Sequence, residues 1–400
     1  MVQKPPLRDS SSWKISTSAH VCSKKSSVRN PYMSFLDLIV EENNHFLLTI
    51  KKMQNNGYPL VLIGAGCLAQ MTWDFLKGQQ VKIDYVAINQ AWLSAGDNFN
   101  GWELTALEQL ASEGKPVNYI YAIQYVPEEL TTLLANTSAE SLIFDPSFIG
   151  VNTTEIITLA FCQQHEAAFE ALYQSLGDER SKQTLIAFIN QRICAQTKYY
   201  KNVFEPVHYF PADIINLKDN EVFVDCGAYN GDSIAAFHSA LLSQGAGLPK
   251  KIFAFEPDSA NFAALQQNTQ DTGYCVCLQE GVWSSESTLR FSSGKALSSK
   301  VSEDEGDEII HLTTIDKVVV NEKVTFIKMD VEGAELDALK GAKKTIATQK
   351  PTLAISAYHK PDDLLALSLF IKEIEADYRF YLRAHHPLHA FELVLYALPC

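Results

Sequence analysis

Residues 221–242 read EVFVDCGAYNGDSIAAFHSALL, an apolar run that ends in Asp225-x-Gly227-x-x-x-Gly231 and passes directly into a helical pattern. A strand feeding a helix through a glycine turn commits the chain to a parallel sheet with a ligand at the strand tips. At that turn the backbone can approach a bound molecule where a side chain would collide. Amides at the helix start attract a carboxylate, and Asp225 is placed to accept from an ammonium. A methionine-like zwitterion needs both. Asp232 or Ser233 would in any case cap the helix.

Two further strand tips carry acids. KIFAFEP ends in Glu256-Pro257, where a carboxylate is placed to accept both hydroxyls of a ribose. FIKMDVEGAE puts Asp330 at the tip of a later strand and then enters a helix. Asp330 is read as functional, whereas Glu335 reads equally well as helix surface. AYHK places His359 at the tip of the strand after that.

Alternation of strand and helix occurs twice. LVLIGAG, KIDYVAIN, VNYIYAI and SLIFD give four short strands of a small sheet, and five strand–helix units plus two closing strands follow from EVFVDCG onward. The expected organisation is a flexible tail over 1–32 and a small Rossmann-like α/β domain with a leading helix over 33–150. A helical connector over 151–204 and a larger α/β domain over 205–400 complete it. Gly64-Ala-Gly66 matches a dinucleotide turn, but the strand that should supply the ribose-binding acid ends in Asn89. A turn needed only for close packing explains it as well. Substrate presentation or homodimerisation is the expected role of this part.

DCGAYNGDS, FAFEPDSANFAAL, HLTTID, FIKMDVEGAELDALKGA and AYHKPDDL together resemble the FkbM family of small-molecule O-methyltransferases, over about residues 220–397. The resemblance implies a Rossmann-like class I methyltransferase sheet of seven strands, the last two an antiparallel pair, and S-adenosylmethionine as cofactor. By position, Asp225, Gly227 and Gly231, with Ala228, Tyr229 and Asp232 between and beside them, would surround the methionine part. Glu256 and Pro257 would lie at the ribose, and Glu280, Gly281 and Val282 near the adenine. Asp330 would border the cofactor as well.

A sulfonium methyl is already activated, so the enzyme need only align an oxygen with it, exclude water and accept a proton. Asp330 and His359 are the candidate bases. Tyr358, Arg383, His385 and His386 lie near strand ends that could line a pocket for a hydroxylated acceptor, a sugar, glycoconjugate or polyketide-like molecule. Asp330 and Glu332 alternate in direction if the chain stays extended, so no metal is expected. A net charge of −14 without a long basic cluster beyond the tail argues against nucleic acid. No apolar run has the length of a membrane span or the form of a signal peptide, which predicts a cytoplasmic protein. The other readings open to the sequence are a nucleotide-binding oxidoreductase built on the Gly64 turn and a non-catalytic binding protein that kept the fold.

Overall fold

The computed structural model describes residues 34–150, 155–291, 301–302 and 308–400, so the tail expected over 1–32 lies outside it. Residues Leu36–Leu38 make one 3₁₀ turn, and the leading helix begins only at His45 and runs to Asn55. Its start is set by Asn44, whose side chain accepts from Leu47 N at 3.0 Å. The polar run Glu41-Glu42-Asn43 ahead of it has no apolar face to bury, so the helix nucleates at the cap.

The first sheet holds β1 (Leu60–Ile63), β2 (Tyr85–Ile88), β3 (Asn98–Phe99), β4 (Trp102–Ala106), β5 (Val117–Tyr121) and β6 (Ser138–Ile143). Their order is β3-β4-β2-β1-β5-β6, parallel except for the β3–β4 hairpin. Six strands thus stand where the sequence reading finds four. The added hairpin turns on Asn100 and Gly101, at φ +51° and +82°, a left-handed pair suited to a two-residue turn. Gly64 has φ +121°, and a Cβ there would lie 2.6 Å from the Ala122 carbonyl. Close strand approach therefore accounts for this glycine. Asp84, the acid nearest the second strand, accepts from Leu60 N at 3.0 Å and serves the sheet.

Helices Leu159–Gln164, Glu166–Ser175 and Glu179–Cys194 form the connecting layer. The first two are separated at His165, whose ring nitrogen bonds the Phe161 carbonyl at 3.0 Å.

The second half contributes β7 (Val222–Cys226), β8 (Lys251–Phe255), β9 (Cys275–Leu278), β10 (Glu280–Val282), β11 (Ser287–Phe291), β12 (Val301–Ser302) and β13 (Glu308–Thr313). β14 (Phe326–Met329), β15 (Thr352–Ser356), β16 (Arg379–Ala384) and β17 (Leu393–Leu398) complete it. Seven of these make one sheet, β16-β17-β15-β14-β7-β8-β9, parallel except for β17, which is antiparallel to both neighbours. This is the expected methyltransferase-type sheet. A separate four-stranded sheet, β10-β13-β11-β12, was not anticipated.

Both faces of the large sheet are covered, as its continuous apolar strands require. Val224, Cys226, Ile327 and Met329 face one core, and Phe223, Ala254, Phe326 and Ala354 the other. The chain runs outward from β7 through β8 to β9 and only later returns to β14 on the other side of β7, so the strand order reverses between β7 and β14 and a crevice opens at their carboxyl ends. Arg383 does not reach it. Its side chain is 1% exposed, turned onto the connecting helices, with Nη2 2.7 Å from both Asp178 Oδ2 and Asp213 Oδ2. Its two ion pairs hold it to Asp178 and Asp213 instead of to the pocket the sequence reading assigned it.

Candidate active site

β7 delivers Asp225 fully buried, one residue before its end. The register sets Lys328 of β14 directly opposite, with Nζ 3.1 Å from Asp225 Oδ1 and donating to the Gly227 carbonyl at 2.6 Å. Burial alone would strip Lys328 of its proton, but Asp225 and Asp330 outweigh it and hold the ammonium charged. Ser233 Oγ also donates to Asp225. The carboxylate is thus engaged within the protein and shapes the loop, rather than standing open to a ligand ammonium as expected.

The loop amides are also engaged. Gly227 N and Ala228 N donate to the Phe255 carbonyl at 3.0 and 2.9 Å, and Gly231 N to the Ala228 carbonyl at 2.8 Å. Asp232 N and Ser233 N are held by Asn230 and Asp232 side chains at 3.2 and 2.7 Å. These donors are therefore not free for an anion. What the loop offers is a rigid, side-chain-free cradle. Gly227 has φ +78°, and a Cβ on it would collide with the Asp330 carbonyl. Ala228 turns into the core, whereas Tyr229, at φ +47°, stands 52% exposed above the crevice.

Glu256 follows β8 and is 6% exposed. Its Oε2 accepts from Tyr229 N at 2.8 Å and its Oε1 from Asp258 N at 3.0 Å, and the Asn261 side chain bonds the carboxylate as well, leaving part of its acceptor capacity for a diol. Burial pushes this carboxyl up to about 7. Gly281 lies beside Pro257, and Glu280 is half-buried at the same rim. Val282 differs in that its side chain is buried in the core. These features fit a nucleoside with a diol at the β8 tip.

β14 and β15 carry the second cluster. Asp330 Oδ2 accepts from Tyr209 OH at 2.7 Å, which fixes the carboxylate, while Oδ1 makes no hydrogen bond and lies 3.5 Å from His359 Nε2. Tyr209 itself is held at φ +59° with His208 stacked on it, ring centroids 3.7 Å apart. His208 Nε2 lies 3.3 Å from Glu392 Oε2. Neither residue was identified from sequence, since the loop 206–211 carries no motif. Lys328 was missed too, although a lysine inside the apolar strand FIKM is itself a signal of a buried acid opposite.

Glu335 is not helix surface. It is fully buried, with Oε1 accepting from Val331 N at 2.9 Å and Gly333 N at 3.3 Å and lying 3.0 Å from His359 Nδ1. The chain does not stay extended after β14 either. Glu332 adopts φ +54° and swings its Oε2 to 3.7 Å from His359 Nε2. His359, fully buried, would lose its proton by desolvation, but Glu335, Asp330 and Glu332 reverse this and raise it to about 10. As a free side chain it is an imidazolium at neutral pH and cannot accept a proton. Asp330 is pushed up by burial and pulled down more strongly by Lys328 and His359, so it stays a carboxylate.

The other expected pocket residues divide. Tyr358 packs against His359, the rings tilted by 36° with centroids 4.2 Å apart. His385 bridges the Glu205 carbonyl and Tyr396 OH at 2.9 and 2.8 Å and is therefore structural. His386 accepts from His389 N at 2.8 Å in the loop after β16.

Residues 225–380 match the family model described as a methyltransferase FkbM domain. A crystal structure of methyltransferase FkbM from Methylobacillus flagellatus KT aligns over 90% of this chain and 95% of its own, at 25% identity and TM-score 0.68. An rRNA methylase from Streptococcus thermophilus aligns over 46% of this chain and 89% of its own, at 17% identity and TM-score 0.31. A fibrillarin from Aeropyrum pernix with natively bound S-adenosyl-L-methionine covers 46% and 69%, at 9% identity and TM-score 0.30. No curated protein matches the sequence.

Proposed function

We propose that this chain, whose residues 225–380 form a methyltransferase FkbM domain, transfers a methyl group from S-adenosylmethionine to a hydroxyl of a sugar, glycoconjugate or polyketide-like acceptor. The observation that carries the reading is the convergence of the Gly227 cradle, Glu256 and the free oxygen of Asp330 on one crevice. When bound, S-adenosylmethionine would supply a methyl already activated by its sulfonium. Asp225 and Lys328 hold the loop, Glu256 accepts from the ribose hydroxyls, and Glu280 and Gly281 border the adenine.

Asp330 Oδ1 takes the acceptor proton. An alcohol oxygen becomes strongly acidic as it bonds to the methyl, so a carboxylate of ordinary basicity suffices once it is held in place. Tyr209 holds it. The small parallel sheet, proposed as a domain over 33–150, supports the site and presents the acceptor or a second copy of the chain. The loop after β6 reaches the second half, with Asp145 Oδ1 3.0 Å from His389 Nδ1. Among the described residues no helix is long and apolar enough to cross a membrane.

Glu256 gives this reading a pH signature. In the unliganded chain its carboxyl titrates near 7 instead of 4.5, so the folded state keeps the proton over a range where the unfolded chain has lost it. Glu256 therefore costs stability as pH rises through that range, whereas a ribose that needs the carboxylate binds better. S-adenosylhomocysteine should bind progressively more weakly below pH 7, and Glu256→Gln should bind it weakly at all pH values. Calorimetry between pH 5.5 and 8.5 checks this. A flat profile in the wild type would remove Glu256 from the ribose site.

A further inference from the structure

The His359 ring is buried among acids, with a nitrogen that no protein donor or acceptor satisfies. Nδ1 faces Glu335 at 3.0 Å, and Glu335 is itself locked by two backbone amides. Nε2 makes no hydrogen bond and points at Asp330 Oδ1 and Glu332 Oε2, 3.5 and 3.7 Å away. A carboxylate behind one imidazole nitrogen, with the other nitrogen facing further carboxylates, is the arrangement by which proteins orient a metal-ligating histidine.

Several further observations converge here. Asp330, Glu335 and His359 have donor atoms within 4.8 Å of one another. Metal–donor bonds of about 2.0–2.2 Å place neighbouring donors roughly 3–3.6 Å apart, near the 3.5 and 3.7 Å at which Asp330 Oδ1 and Glu332 Oε2 stand from His359 Nε2. Three carboxylates, of Asp330, Glu332 and Glu335, face the His359 ring nitrogens, while Lys328 is shared with Asp225, Lys360 lies beside Gly333 and Arg192 donates to the Tyr358 carbonyl. Glu332 reaches the cluster only because the backbone leaves the strand in a left-handed turn.

We propose that His359 Nε2, Asp330 Oδ1 and Glu332 Oε2 bind a divalent cation of the Mn2+ or Zn2+ class, with Glu335 orienting the histidine from behind. The cation takes the place of the imidazolium proton, which is released to solvent. Three protein donors leave coordination positions open, and an acceptor hydroxyl or a vicinal diol fits them. This use of the cation rests on the methyltransferase reading, although the site itself does not. In the cation-loaded chain Asp330 Oδ1 would serve as a ligand instead of as the proton acceptor. The coordinated acceptor hydroxyl, made more acidic by the cation, would release its proton to solvent, and the methyl would be directed to that oxygen.

The test uses the full chain stripped with a chelator and titrated with MnCl2. Binding is followed by calorimetry and by loss of the free Mn2+ paramagnetic resonance signal, and S-adenosylhomocysteine affinity is measured in parallel. The wild type should bind a single Mn2+ per chain saturably. Glu332→Gln, an exposed position that leaves the fold alone, should weaken it at least tenfold, and Glu335→Gln by about 10- to 100-fold. S-adenosylhomocysteine affinity should hold in both variants. Absence of saturable Mn2+ and Zn2+ binding in a wild type that still binds S-adenosylhomocysteine would overturn the metal site and leave the methyltransferase reading intact. Metal binding that survives Glu332→Gln and His359→Asn alike would overturn it too. Loss of S-adenosylhomocysteine binding in the wild type would count instead against the methyltransferase reading.

Discussion

Asp330→Asn should lower turnover by about 10²- to 10⁴-fold, the range expected for removing a positioned proton acceptor, while S-adenosylhomocysteine affinity changes far less. The substitution keeps the size of the side chain and an oxygen to accept from Tyr209 OH, now 2.7 Å from Oδ2. It removes the charge and basicity of Oδ1, a buried oxygen that makes no hydrogen bond and lies 3.5 Å from His359 Nε2. Release of S-adenosylhomocysteine with any hydroxylated acceptor that the wild type methylates reads the effect. His359→Ala should also reduce turnover more than cofactor affinity, by freeing Asp330 from its neighbour at 3.5 Å. Normal turnover in both variants would leave the proton acceptor elsewhere.

Gly227→Ala should damage fold and cofactor binding together. Its φ of +78° strains any L side chain, and the added methyl meets the Asp330 carbonyl at the end of the adjacent strand. The neighbour is backbone and cannot rotate away, so β7 and β14 must part at the site. Conformational strain and overpacking should together cost at least about 2 kcal/mol of stability. Displacement of the cradle should weaken S-adenosylhomocysteine by roughly tenfold or more, a cost of about 1.4 kcal/mol. Gly66 serves as the control, since a Cβ there meets nothing within 4 Å. Urea unfolding and calorimetry on both variants check the pair. Equal stability of Gly227→Ala and wild type would contradict the close approach.

The large sheet was legible because its strands are apolar runs, three of them with an acid at the tip, and because the motif blocks resemble a family with that sheet. Asp225, Glu256 and Asp330 identified themselves by standing where a parallel sheet binds ligands. The β3–β4 hairpin was passed over because two- and five-residue strands carry too little periodicity, although Asn100-Gly101 signalled the turn. Roles were harder to read than places. That Asp225 faces Lys328 depends on the register of two strands about a hundred residues apart in the chain. Tyr209 reaches Asp330 from a loop without pattern, and Glu332 and Glu335 converge on His359 only through the turn after β14. Side-chain partnership across such distances leaves no spacing in the sequence to find.

The central claim, that the crevice beyond β7 and β8 holds S-adenosylmethionine, is tested most directly by titration calorimetry of the full chain with S-adenosylhomocysteine, with a nicotinamide dinucleotide run alongside. Saturable binding of the first alone, weakened by Glu256→Ala in a folded variant, is the expected result. Failure of the wild type to bind S-adenosylhomocysteine, or binding of the dinucleotide in its place, would contradict it.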